Sequence, residues 1–425
     1  MSQIVTQFGK TVERAIPRPT LARALLLTGY RVKSVQLAMA PDKRLPPARQ
    51  YAAQAAMETI IGPMAHPGRS AIVNVFMPCE LLQAFDILPF FAEAAACYLN
   101  GAEAERGFIR YAENAGVSPT LCSYHKALLG LGLSGAVGRP LFTACTSLAC
   151  DANNLTFRKI AQELKIPSFY LDIPYDRDED AVRDVADQLR EFASFLERVT
   201  GRHLDKTLLS DAVGRSGETL SLLREIQAAK VDHALPTDVT SESYEVFLTH
   251  PLLGTPQALR YARQMRDDLK SAPAGKGLRL LWAHTIPFFQ APVREMFNFA
   301  PDVQIVTCDM NIDTLDCVMD PDHPFESMAR RLVYNSFNGS SENRIRRDLE
   351  LCRSQKLDGV VYFCQWGCKQ TMGSAQLFRR AFEEAGIPVL LLDGDGCDRA
   401  NTSDGQTATR LGAFLEMLRA QKEAK

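Results

Sequence analysis

Seven short apolar runs, each followed by a longer stretch of helical periodicity, constrain this chain more than any other feature. They are "AIVNVFMP" (71–78), "PLFTA" (140–144), "PSFYLDIP" (167–174), "LRLLWA" (278–283), "VQIVT" (303–307), "GVVYF" (359–363) and "PVLLLD" (388–393). Runs this apolar read as strands buried on both faces, and the helical segments between them supply the crossovers that parallel strands need. The expected fold is α/β, with two doubly wound parallel-sheet domains. At 425 residues the chain exceeds one ordinary core. The texture divides it into a helical N-terminal segment (1–70), a first α/β domain (71–180), a helical linking region (181–270) and a second α/β domain (271–425). "SAPAGKG" (271–277) is the expected linker, and "ELLQAFDILPFFAEAAACYL" (80–99) reads as helix.

A formal net charge of −2 gives no electrostatic reason to expect a nucleic-acid or anionic-membrane partner. No apolar stretch reaches the roughly 18 residues of a membrane span, and "MSQIVTQFGKTVERAI" lacks the apolar core of a signal peptide. The expected setting is cytoplasmic. In a reducing compartment, 11 cysteines point away from disulfides and toward metal binding, catalysis or simple core packing.

Ligands of open α/β sheets lie beyond the carboxyl ends of the strands. Cys79, Cys145, Cys150, Cys364, Cys368 and Cys397 all fall just past such ends on this reading. Cys97 and Cys352 sit within helical runs and read as packing, while Cys308 and Cys317 are ambiguous. Cys122, Cys150 and Cys368 each stand at the start of a helix, where unpaired backbone N–H groups favour a thiolate. Three such thiolates, drawn from both domains, can converge in one cleft. The spacings are not the short pairs usual for zinc; they leave an iron–sulfur centre and a metal-free thiol cluster both open.

Two phosphate-binding look-alikes lack their context. "GLGLSG" (130–135) fits G-x-G-x-x-G but follows a helix instead of a strand, so it reads as a flexible loop. "GKT" (9–11) has Ile4 where a Walker A loop needs its first glycine.

"LLWAHTIPFFQAPVREMFN", "DGVVYFCQWGCKQTMGSAQL" and "LLLDGDGCDRANTSDGQTATRLGAFLEML" resemble the 2-hydroxyacyl-CoA dehydratase family, in its smaller D-component type. "LCSY" (121–124), "LACD" (148–151) and "IPSFYLDIP" (166–174) match the earlier half of that pattern, so the resemblance covers roughly 70–425. It implies two Rossmann-like domains holding a [4Fe-4S] cluster on Cys122, Cys150 and Cys368. It also implies a homologous partner subunit in a heterodimer, an ATP-dependent iron–sulfur activator that supplies one electron, and an acyl-CoA substrate dehydrated through a ketyl radical. Glu80 of "MPCELLQAF" matches the family's P-x-E position near the substrate; its readings are acid–base catalyst or helix N-terminal carboxylate. Benzoyl-CoA reductase subunits and double-cubane reductases, with an [8Fe-9S] cluster on six cysteines, belong to the same superfamily. The extra thiols Cys79, Cys145, Cys364 and Cys397 raise that alternative, but "RLVYNSFNGSSENRI" (331–345) lacks the cysteines of the double-cubane proteins. A non-catalytic electron-relay subunit and an iron–sulfur or zinc scaffold without turnover are the remaining alternatives.

Overall fold

The structure is a computed structural model that describes residues 3–424. The seven apolar runs become strands, and an eighth joins them. The first sheet comprises β1 (Ser70–Val73), β2 (Leu88–Phe91), β3 (Phe142–Thr146) and β4 (Ser168–Leu171). The second comprises β5 (Leu278–Ala283), β6 (Val303–Cys308), β7 (Gly359–Gln365) and β8 (Val389–Gly394). Every pairing is parallel, with helices around the sheets. The orders, β2-β1-β3-β4 and β6-β5-β7-β8, are one topology used twice. In each sheet the chain steps outward from its first strand, then crosses back to the other side. The gaps beyond β1/β3 and β5/β7 are therefore the switch points where α/β sheets bind ligands.

The added strand corrects the helix expected over 80–99. That segment is a helix Cys79–Ala84, then β2, then a helix Ala92–Gly101. Asp86 takes a left-handed φ of 55° and Pro89 follows, so a continuous helix is ruled out. Pro89 is tolerated because β2 is an edge strand. The charged run after 178 likewise forms two helices, Glu179–Thr200 and Lys206–Ala229. Gly201 ends the first with φ 69°, and Asp205 caps the second through the N–H groups of Thr207 and Leu208.

"GLGLSG" is not a flexible loop. Its first four residues complete the helix Ser123–Leu133, and a Cβ on Gly130 would lie 1.9 Å from the carbonyl oxygen of Phe108. The glycine is there for helix-to-helix contact with Glu105–Asn114. "GKT" lies inside the helix Gln3–Ala15.

The two halves are tied through the loop after β8. Ser123 donates to Asp395 (2.5 Å), Tyr124 to the carbonyl of Gly396 (3.1 Å), and Asn100 to the carbonyl of Cys397 (2.7 Å). Arg399 returns a bond to the carbonyl of Asn100 (2.8 Å). These clamps hold the two switch points facing each other.

Candidate active site

Between the switch points lies a cavity of about 230 Å³, and Cys122, Cys150 and Cys368 all line it. Cys122 is the N-cap residue of the helix Ser123–Leu133, and Cys368 that of Lys369–Glu384. Cys150 stands two residues before the helix Ala152–Leu164, after Ala149 at a φ of 62°. The three candidate positions thus meet in one place, each at the start of a helix.

The loops carrying Cys368 and Cys122 touch backbone to backbone. Gly367, at φ 77°, leaves no room for a side chain: a Cβ there would lie 2.5 Å from the Cys122 amide nitrogen. Gly367 therefore serves the approach of two protein segments. Trp366 is 41% exposed and does not line the cavity.

The thiols are electrostatically linked. Burial pushes the Cys122 thiol well up, and nearby Cys368 and Cys150 push it further. Cys150 is pushed up to about 12, first by burial and then by Cys368. Ionising all three together requires a cation among them. His125 lies one turn along from Cys122, and its Nε2 is 3.1 Å from the Cys150 sulfur. Burial lowers the His125 pKa to about 4, so the ring is neutral; Nε2 accepts from the Cys150 thiol in one tautomer and would donate to a Cys150 thiolate in the other.

Among the described residues, no three His, Cys, Asp or Glu side chains converge closely enough to hold one metal ion. That argues against a mononuclear zinc site. A cubane makes a different demand, since each cysteine takes its own iron and the thiolates stand further apart. A thiol-only set spread around one cavity fits that donor chemistry.

The rest of the lining is largely apolar, with Val75, Phe76, Phe91, Phe247 and Phe288 among its walls. Polar side chains, among them Glu93, Glu242, His284, Asn311, Gln365 and Gln370, also line it, and Glu93 is the most informative. It opens the helix after β2, and its Oε2 accepts from the Val75 N–H at 3.1 Å. Burial raises its pKa to about 7. Sequence reading missed Glu93 because the strand before it was hidden inside an expected helix. His125 was within reach, since a residue three after Cys122 shares its helix face. Cys97, read as packing, and Cys308, read as ambiguous, also line the cavity.

The remaining candidates lie elsewhere. Glu80 is fully buried and outside the cavity lining. It makes a two-pronged ion pair with Arg331 and accepts from Ser216 at 2.7 Å. Both oxygens are engaged, which favours the structural reading over the acid–base one. Cys145 and Cys364 lie within β3 and β7, not past their ends. With Cys79 and Cys397 they are buried and absent from the cavity lining.

The model of the 2-hydroxyglutaryl-CoA dehydratase D-component family matches residues 74–418, which take in every strand but β1 and include Cys122, Cys150 and Cys368. The chain belongs to that family. Among its relatives is the (R)-phenyllactyl-CoA dehydratase alpha subunit of Clostridium sporogenes, 25% identical over 79% of this chain and 84% of that one. The (R)-2-hydroxyisocaproyl-CoA dehydratase alpha subunit of Clostridioides difficile is 21% identical over 81% and 89%. A benzoyl-CoA reductase subunit of Thauera aromatica is 26% identical over 82% and 88%. The expected family and its hydro-lyase class stand, and the named dehydratase relatives are subunits of larger enzymes. No helix among the described residues is long and apolar enough to cross a membrane.

Proposed function

We propose that this chain is the iron–sulfur subunit of a 2-hydroxyacyl-CoA dehydratase, removing water from a 2-hydroxyacyl-CoA to give the enoyl-CoA. The observation that carries this reading is the meeting of Cys122, Cys150 and Cys368, each at a helix start, in one largely apolar cavity between two switch points. These three cysteines would hold a [4Fe-4S] cluster. When bound, such a cluster supplies one electron at low potential and an iron open to a substrate oxygen.

The difficulty in the reaction is the β-proton, which the thioester does not acidify. One electron on the thioester carbonyl gives a ketyl that expels the α-hydroxyl as hydroxide. The β-proton is then acidic, its loss gives the ketyl of the enoyl thioester, and the electron leaves again. The net change is loss of water.

This chain's residues suit that sequence. Apolar walls exclude water, which would quench a radical anion by protonation. Glu93, with a pKa near 7 and its Oε2 held by Val75, has Oε1 left to accept a proton at neutral pH. His125 holds the Cys150 sulfur through Nε2. Glu80 takes no part in this scheme. The electron would come from a separate ATP-dependent iron–sulfur activator, and a homologous subunit would complete a heterodimer.

The similarity to a benzoyl-CoA reductase subunit supports a second reading, a low-potential reductase that leaves its electrons in the product. A double-cubane [8Fe-9S] centre is disfavoured because Cys79, Cys145, Cys364 and Cys397 stay out of the cavity lining. Iron and acid-labile sulfide after anaerobic purification test the ligand set: about four irons per chain are expected, against about eight for a double cubane. Cys368→Ala should lose bound iron, and Cys352→Ala, in the helix Ser341–Ser354 away from the cavity, should not. Equal iron in both variants would overturn the assignment. With partner and activator added, formation of enoyl-CoA from 2-hydroxyacyl-CoA separates dehydratase from reductase and from a non-catalytic relay subunit.

A further inference from the structure

The segment 331–345, which lacks the cysteines of the double-cubane proteins, borders a hollow lined by Arg177, Arg330, Arg331, Arg346 and Arg347 beside Asp313, Asp316 and Glu350. Asn343, Arg346 and Arg347 share one face of the helix Ser341–Ser354 and line this hollow of about 320 Å³. Arg177 joins them from the loop after β4. Gly339, at φ 74°, makes this possible: a Cβ there would lie 2.8 Å from the Tyr175 carbonyl oxygen and 3.7 Å from Arg177 Cδ.

Most of the charges in this cleft are already matched. Arg330 pairs with Glu179, Arg331 with Glu80, and Arg347 with Asp316. Arg177 and Arg346 have no carboxylate partner among the described residues. Arg177 donates through Nη2 to the carbonyl of Tyr334 (2.5 Å), and its Nε is buried with no acceptor. Arg346 sits close enough to make holding a proton harder for Arg177, after the larger effect of burial. Two like charges held together at the lip of a hollow suit a shared anion.

The cleft and the thiol cavity are bridged by a common neighbour. A third hollow, of about 240 Å³, shares Ser336 with the arginine cleft and shares Phe337 and Gln370 with the cavity. It also carries Lys369, exposed and without a carboxylate partner among the described residues.

We propose that Arg177 and Arg346 bind the phosphates of the coenzyme end of an acyl-CoA, while its thioester reaches past Phe337 toward the cysteines. This rests on the acyl-CoA reading above and adds where the anionic handle is held. A bidentate guanidinium–phosphate contact is worth about a tenfold change in affinity.

Titration of the full chain with acetyl-CoA and with acetyl-pantetheine, which lacks the nucleotide and its phosphates, tests this. Acetyl-CoA should bind at least about tenfold more tightly. Arg177→Gln and Arg346→Gln should each remove about tenfold of that advantage and leave acetyl-pantetheine binding unchanged. Arg346 is exposed on its helix, so its variant keeps the test open if the Arg177 variant folds poorly. Undiminished acetyl-CoA binding by a folded Arg346→Gln chain overturns the proposal and leaves the dehydratase reading standing. Failure of the unaltered chain to bind either thioester overturns both.

Discussion

A side chain on Gly367 would lie 2.5 Å from the amide nitrogen of Cys122 and 2.8 Å from the carbonyl oxygen of Thr120. The two cysteines flanking this contact, Cys368 and Cys122, come from opposite halves of the molecule. Their separation is therefore set by main chain pressed on main chain, the least compressible kind of contact. A site that must hold a rigid inorganic group benefits from such a spacer.

Gly367→Ala should be strongly destabilising. The φ of 77° costs a Cβ-bearing residue about 1 kcal/mol, and the backbone clash adds to it, for about 2–4 kcal/mol in all. Gly373 lies in the next helix with nothing near its Cβ position, so Gly373→Ala should be neutral or gain up to about 1 kcal/mol. Thermal melts of the two variants, read beside their iron content, check this. A Gly367→Ala chain with wild-type melting and iron would show that the loops are free to separate.

Removing the Glu80 carboxylate should act on stability first. Glu80→Gln leaves the buried Arg331 guanidinium without its counter-charge, a loss of about 3–5 kcal/mol. Pairing it with Arg331→Met should recover much of that loss in a double-mutant cycle by urea unfolding. If Glu80→Gln melts like the unaltered chain yet abolishes turnover, the acid–base role for Glu80 returns.

Glu105 should make stability depend on pH near neutrality. It is 1% exposed, its Oε2 has no partner, and Arg399 stands 3.4 Å from its other oxygen. Burial outweighs Arg399 and raises the pKa to about 7 from an ordinary 4.5. The fold thus favours the protonated form. Its contribution is complete below the unfolded pKa and is lost as pH rises through about 7. Between pH 5 and 8, Glu105→Gln should abolish a decline of up to about 3 kcal/mol. Urea melts at both pH values measure it, and parallel pH slopes for the two chains would refute it.

The alternation of apolar runs with helical periodicity was enough to specify a parallel α/β protein, because strands buried on both faces admit few other solutions. The helix-start positions of Cys122, Cys150 and Cys368 were legible for a similar reason: caps and strand ends are local. β2 was not legible, since "LPFF" is too short to separate from a buried helix by periodicity. Which thiols share a cavity was beyond the sequence as well. Cys364, four residues before Cys368, is buried in β7, whereas Cys97 and Cys308, far away in the chain, line the site. Glu80 found its partner 251 residues on, and Arg177 found Arg346 across the Gly339 turn. Local chemistry determines what each residue is able to do. Its neighbours are decided only when two sheets, each with its own switch point, are locked face to face by the loop after β8.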